Sequence, residues 1–239
     1  MKHHLIVLFM RKMGCDILKF KVVEKFISIN GEGKLSGQLA IFIRFAGCNL
    51  DCSYCDTRWA NEKDVEYEWM TADQIYEYIK VNGVRNVTLT GGEPLLQKGI
   101  MELLTVLSLD PELVIEIETN GSIELGPFTK IEKNRPRFTM DYKLGSSQME
   151  SKMLTSNFKY LGALDTVKFV VGNIDDLKRA KHIIDQYQLV DKTSVYISPV
   201  FGEIEMVQIV EFMKENKMNG VTLQVQLHKI IWDPEKKGV

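Results

Sequence analysis

The sequence predicts an α/β fold, an incomplete (partial) TIM-type barrel of parallel strands with outer helices. Three observations carry that expectation. Strand-like apolar segments alternate with segments of helical periodicity along most of the chain, the pattern of βα units and a parallel sheet. Chemically interesting polar residues come directly after strands, where barrels and open α/β sheets place their sites. About seven strands and fewer clear helices can be read, too few for a closed eightfold barrel.

Taken in order, residues 39–45 (LAIFIRF) are a β-rich apolar run that ends just before a cysteine cluster. Residues 71–80 read as a helix: Thr71 and Gln74 form a capping-box pair, and Ile75, Tyr78 and Ile79 make an apolar stripe. Residues 86–90 (NVTLT) are a short strand running into Gly91-Gly92, and 95–108 read as a helix. Strands follow at 113–119, where a turn begins, at 137–143 and at 166–172. In 175–188 the apolar residues Leu177, Ala180, Ile183, Ile184 and Tyr187 recur at helical spacing. A strand over 193–199, a helix over 203–216 and a last strand over 221–227, followed by His228, complete the pattern.

The 239 residues, 45% hydrophobic, suit one domain with its own core over 18–239. Residues 1–17 read as an N-terminal extension, poorly ordered, because their six-residue apolar run lies between basic residues without a cleavage site. A net charge of −2 gives no field that would draw nucleic acid or an anionic membrane, and no apolar run is long enough to span a bilayer. Without a targeting segment the cytoplasm is the expected location. Thiols stay reduced there, so clustered cysteines read as metal ligands or redox groups.

Three of the four cysteines stand in CNLDCSYCDT, at the spacing C-x3-C-x2-C: Cys48, Cys52 and Cys55. Thiolates suit zinc or iron–sulfur clusters. A structural zinc site wants a fourth ligand, for which Cys15, His3, His4, His182 and His228 are the candidates. The alternative is a four-iron cluster with three protein ligands and one iron left open for chemistry.

That spacing, with Tyr54 before the last cysteine and TGGEP (90–94) after a strand, resembles the radical S-adenosylmethionine (SAM) enzymes. The resemblance implies a [4Fe–4S] cluster on Cys48, Cys52 and Cys55, with SAM on the open iron and Gly91, Gly92 and Glu93 beside the cofactor. Within that superfamily the chain, from about Leu18 onward, is similar to the 7-carboxy-7-deazaguanine synthase family. The motifs are SINGEG (28–33), FIRFAGCNLDCSYCDT (42–57), TGGEP and the tail QLHKIIWDPEKKGV (226–239). The likeness implies ring contraction of 6-carboxy-5,6,7,8-tetrahydropterin to 7-carboxy-7-deazaguanine with loss of ammonia, a step toward queuosine and other deazapurines.

It also implies roles for particular residues. Arg44 meets the substrate carboxylate, as guanidinium groups do. Ile29, Asn30, Gly31, Glu32, Thr90, His228 and the Val239 carboxylate complete the substrate contacts. Asn30 stands where the family commonly has glutamine, which shortens its reach. Thr57 is implied as a Mg2+ ligand. Glu118, Thr119 and Asn120 form a second polar strand end, Asp141, Tyr142 and Lys143 a third, and Ser198 ends another strand; as strand ends these are expected on the cofactor side. A flavodoxin or ferredoxin electron donor and a homodimer follow by the same analogy. Two rivals stand beside this reading: a glycyl-radical-enzyme activase, and a non-catalytic zinc-binding protein.

Overall fold

The computed structural model describes residues 18–239, so the expected extension over 1–17, with His3, His4 and Cys15, lies outside the described residues. The backbone forms a nine-stranded sheet in the order β3-β1-β2-β4-β5-β6-β7-β8-β9. Its strands are β1 (Lys19–Ile29), β2 (Leu39–Phe45), β3 (Glu68–Thr71), β4 (Asn86–Gly91), β5 (Val114–Thr119), β6 (Arg137–Tyr142), β7 (Thr166–Val171), β8 (Ser194–Pro199) and β9 (Val221–Leu223). From β2 through β9 every neighbouring pair is parallel, and the sheet is not closed.

The seven parallel strands are the seven read from the sequence. The other two, β1 and β3, extend one edge in antiparallel pairing. β1 was masked by its lysines. Lys19 and Lys21 are exposed while Phe20 and Val22 are buried, and a register shift between Val22 and Glu24 then breaks the alternation. β3 has only four residues, too short for a period to show.

Outer helices connect the strands: α1 (Ala72–Asn82), α2 (Ile100–Ser108), α3 (Ile174–Tyr187) and α4 (Met206–Glu215). α1 carries the expected capping box, with Thr71 accepting from the Gln74 backbone and Gln74 from the Thr71 backbone. It ends at Gly83, whose φ of +67° suits glycine. The helix expected over 95–108 is instead a 3-10 turn, Pro94–Leu96, followed by α2. The break falls at Gly99, with φ +86°, which lies against Leu18. The last strand stops at Leu223 rather than 227. The chain then leaves the sheet: Gln224 bonds the backbone of Gly33 on both sides and Leu227 N donates to Gly31 O. His228 consequently lies in a short helix, α5 (Leu227–Ile231), and not at a strand end.

Alternation along the strands separates two faces. Ile41, Ile43 and Phe45, Val87 and Leu89, Ile115 and Ile117, Phe138, Met140 and Tyr142, and Val167, Phe169 and Val171 belong to the hydrophobic core. The residues that alternate with them are mostly polar, Arg44, Thr88, Thr90, Glu116, Glu118, Thr139, Asp141 and Lys168, with Phe42 and Val170 apolar among them. One face of the sheet is thus packed, and the other carries chemistry. Leu89→Ala in the central strand β4, where the side chain is fully buried, is expected to cost about 3 kcal/mol. A thermal melt should show it as a midpoint roughly 10 °C lower.

Candidate active site

β2 delivers the chain at Phe45 into the cysteine loop. That loop is held by backbone contacts before any metal is considered. Gly92 N donates to Phe45 O (3.0 Å) and Glu93 N to Gly47 O (2.9 Å). Gln97 reaches Ala46 O, Arg58 reaches Cys52 O, and Ser53 bonds the carbonyls of Ser146 and Ser147. The glycines of TGGEP are what make this possible. A Cβ on Gly91 would lie 2.3 Å from Phe45 O, and one on Gly92 would lie 2.0 Å from Gly47 O. Their bare backbone therefore admits the cysteine loop.

All three cysteines are free thiols. Cys48 Sγ accepts from Leu50 N (3.4 Å) and from Asn120 Nδ2 (3.6 Å). Burial pushes the Cys48 thiol up and the Cys52 thiol up to about 11. Thiols so placed keep their protons until a cation displaces them, so metal binding would be coupled to proton release. Three thiols on one loop, with two N–H groups aimed at one sulfur, are a donor set that fits an iron–sulfur cluster with one open iron. Thr57 Oγ1 lies 3.7 Å from Cys55 Sγ.

Glu93 is fully buried below this loop. One carboxylate oxygen accepts from Leu95 N (3.0 Å) and Thr119 Oγ1 (2.9 Å), and the other from Asn120 N (2.7 Å). Burial pushes its pKa up to about 7 against the pull of those bonds. Glu93 and Thr119 therefore bond each other, and together they fix Asn120 beside Cys48.

On the polar face, Lys168 Nζ lies 3.0 Å from Glu32 Oε2 and 3.4 Å from Asp141 Oδ2. Lys143 Nζ lies 2.9 Å from the same Asp141 oxygen and 5.7 Å from the centre of the Tyr54 ring. Burial would push Asp141 up, but the two ammonium groups hold its carboxyl below the usual range. Burial likewise opposes the charges on Lys143 and Lys168, and their carboxylate neighbours outweigh it, raising both. Glu118, raised by burial, accepts from Thr90. Arg44 Nε donates to Glu24 (2.9 Å), and Thr88 donates to Asn30 Oδ1 (2.8 Å). The His228 ring lies against Gly31, where a Cβ would come within 2.7 Å of Nδ1; burial lowers that imidazole's pKa.

On the polar face five buried atoms, Asn30 Nδ2, Glu32 Oε1, Glu116 Oε2, Asp141 Oδ1 and Ser198 Oγ, bond no other described residue. Such groups are costly unless something satisfies them. One is a donor, three are acceptors and one is both.

Most of the sequence-derived residues thus converge near the C-terminal ends of β2 and β4 through β8. Tyr142 does not. Its ring is buried in the core against Phe158 and Phe169, on the face opposite Asp141, because adjacent strand residues point to opposite faces. Ile29 ends β1 in register with Leu39. The tail crosses the cysteine loop, with Lys229 3.6 Å from Asp56 and Lys237 4.0 Å from the centre of the Trp59 ring, and Val239 ends it half-buried. Lys168, Glu116 and Gln226 were not among the expected residues. A signal for two of them existed: Glu116 in VIEIET and Lys168 in TVKFVV place charge inside short β-rich runs, where a doubly covered parallel strand is normally apolar.

Comparison with known proteins gives a consistent answer. The Radical SAM superfamily model matches residues 42–139. The chain is 64% identical to a 7-carboxy-7-deazaguanine synthase of Clostridium acetobutylicum, over 93% of this chain and all of that one. It is 35% identical to one of Chlorobaculum tepidum, over 91% and 96% respectively. In fold it resembles QueE from Escherichia coli, with a TM-score of 0.70 at 21% identity, covering 87% of this chain and 94% of that one.

Two expectations follow from the geometry. Gly92→Ala should displace the cysteine loop, so that anaerobic reconstitution yields far less bound iron per chain than wild type while the protein stays folded by circular dichroism. Glu116 is pushed up to about 7 by burial, with Thr139 pulling the other way. Between about pH 4.5 and 7 the unfolded chain loses this proton while the folded one keeps it, so stability falls as pH rises through that window. Glu116→Gln should flatten that part of the melting temperature–pH profile.

Proposed function

The chain belongs to the 7-carboxy-7-deazaguanine synthases of the radical SAM superfamily, and from that membership we propose how its site is used. The protein is a radical SAM carbon–nitrogen lyase acting on a small molecule. It contracts the ring of 6-carboxy-5,6,7,8-tetrahydropterin to 7-carboxy-7-deazaguanine with release of ammonia. The reading rests above all on one juxtaposition: a three-thiol loop standing beside a polar face where several buried donors and acceptors bond no other described residue.

Cys48, Cys52 and Cys55 would hold a [4Fe–4S] cluster. When bound, the cluster and SAM supply a 5′-deoxyadenosyl radical, the agent that removes a hydrogen atom from the pterin. The chain's own residues bind and orient. Gly91, Gly92 and Glu93 fix the cysteine loop and the adjoining cofactor space, with Glu118, Thr119, Asn120, Asp141, Lys143 and Ser198 around it. Arg44 is held through Nε by Glu24, which directs its terminal amino groups to the substrate carboxylate. Glu32 Oε1 accepts from the amino-pyrimidine edge, Asn30 Nδ2 donates to a ring acceptor, and Thr90, Gly31 and His228 line the same space. Thr57 would contribute one oxygen to a Mg2+ that otherwise keeps water and substrate ligands. The Val239 carboxylate would close the site from the tail.

Membership of this family sets aside the activase and zinc-knuckle readings. Among the described residues no helix is long and apolar enough to cross a membrane, in keeping with a cytoplasmic enzyme. A flavodoxin or ferredoxin donor and a homodimer complete the proposal by family analogy.

The test is an anaerobic reaction of reconstituted protein with reductant, SAM, Mg2+ and 6-carboxytetrahydropterin, read by mass spectrometry. Product should form with wild type and vanish in Cys48→Ala. In Arg44→Ala, kcat/KM should fall roughly 30-fold, the equivalent of about 2 kcal/mol for a lost charged hydrogen bond. Release of 5′-deoxyadenosine without deazapurine would refute the assigned substrate.

A further inference from the structure

Lys168 lies on β7, five places along the sheet from β1, yet its ammonium bonds Glu32 in the loop that follows β1. The contact joins the antiparallel edge of the sheet to its parallel far side. The same nitrogen approaches Asp141 at the end of β6. All three side chains are nearly buried, at 12% exposed for Lys168, 11% for Glu32 and 18% for Asp141. Each carboxylate is used in the same way. Oε2 of Glu32 also accepts from Gln226 Nε2 (3.3 Å), and Oδ2 of Asp141 also accepts from Lys143 Nζ (2.9 Å). In each the second oxygen, Glu32 Oε1 and Asp141 Oδ1, is buried and bonds no other described residue.

We propose that Lys168 is a positioning residue that keeps the pterin in register with the cofactor, by tying the carboxylate that binds one to the carboxylate that flanks the other. The inference rests on the assignment of Glu32 to the pterin and Asp141 to the SAM side. A single ammonium fixes one oxygen of each carboxylate, so the remaining oxygen has a defined direction. A compact point charge with three rotatable N–H donors suits two acceptors on different elements, whereas a planar guanidinium favours one carboxylate in a fork. Loss of the amine would leave Asp141 with Lys143 but Glu32 with only the neutral Gln226 amide, a buried carboxylate without its cation, and Glu32 would turn away from the geometry that holds the ring. Register matters because hydrogen transfer needs the reacting atoms nearly in contact, and small misplacements cost large factors in rate.

The test compares wild type, Lys168→Met, Lys168→Arg, Glu32→Gln and the double variant E32Q/K168M as reconstituted holoenzymes. Iron content and melting temperature are recorded first. Three quantities follow: Kd for 6-carboxypterin without reductant, KM for the pterin against KM for SAM, and 5′-deoxyadenosine released per product formed. In K168M, Kd and pterin KM should each rise about tenfold, the equivalent of about 1.4 kcal/mol. KM for SAM should change little, and the 5′-deoxyadenosine ratio should rise. K168R, which keeps the charge, should recover most of the binding, and the double variant should bind no worse than K168M alone. If K168M does not take up iron, Lys168→Gln replaces it with the same expectations. Wild-type Kd and ratio in whichever neutral Lys168 variant takes up iron would overturn the proposal. So would additive losses in the double variant. No product from wild type would remove the substrate assignment itself, and this inference with it, a result distinct from product formation that ignores Lys168.

Discussion

The site depends on a backbone-to-backbone contact between the end of β4 and the start of the cysteine loop. Gly92 N and Glu93 N bond Phe45 O and Gly47 O, at a separation that leaves no room for a Cβ on either glycine of the TGGEP motif. Hydrogen bonds between rigid main chains hold position better than side-chain contacts, which have rotamers to lose. Glu93 then carries that order outward. Its carboxylate takes the Thr119 hydroxyl and the Asn120 backbone, and Asn120 reaches Cys48. The ends of β2, β4 and β5 are thereby locked together around the first thiol, and a ligand-holding loop becomes a fixed part of the sheet.

The polar face follows a different logic. Strands of a half-barrel could fill their inner side with apolar residues and gain stability from burial. Here that side carries Glu32, Glu116, Glu118, Asp141, Lys143 and Lys168. Lys143 pairs with Asp141 and Lys168 with Glu32, two ammonium groups among four carboxylates, and several polar atoms bond no other described residue. The raised pKa values of Glu116 and Glu118, both due first to burial, record what this arrangement costs. The opposite face, with its continuous core of Ile, Leu, Val and Phe, supplies the stability that permits it. Stability and chemistry are separated by the period-two alternation of the strands.

That division explains what could be read from the chain beforehand. The seven parallel strands are short apolar runs bounded by turn residues, and all seven were legible. The capping box at Thr71 and Gln74 marked α1. β1 and β3 were not legible, since edge strands with interspersed lysines lack the pattern of a buried strand. Gly99 breaks the apparently continuous helix with a left-handed φ, and Leu18, far away in sequence, occupies the space a side chain there would need. At the site, the cysteine spacing and the Gly-Gly-Glu motif were local and therefore visible. Tyr142 was grouped with Asp141 and Lys143 by adjacency alone, and the pleat turned it into the core. Lys168 was missed because its partner Glu32 is 136 positions away. Only the sheet order brings them together.

The account's central claim is that Cys48, Cys52 and Cys55 hold a cluster with one iron free for SAM. The most direct measurement is electron paramagnetic resonance of the anaerobically reconstituted, dithionite-reduced protein, with and without SAM. The account predicts about four irons per chain and a reduced-cluster signal whose g-values shift when SAM is added. A signal indifferent to SAM, or a preparation that holds zinc and no sulfide, would contradict it.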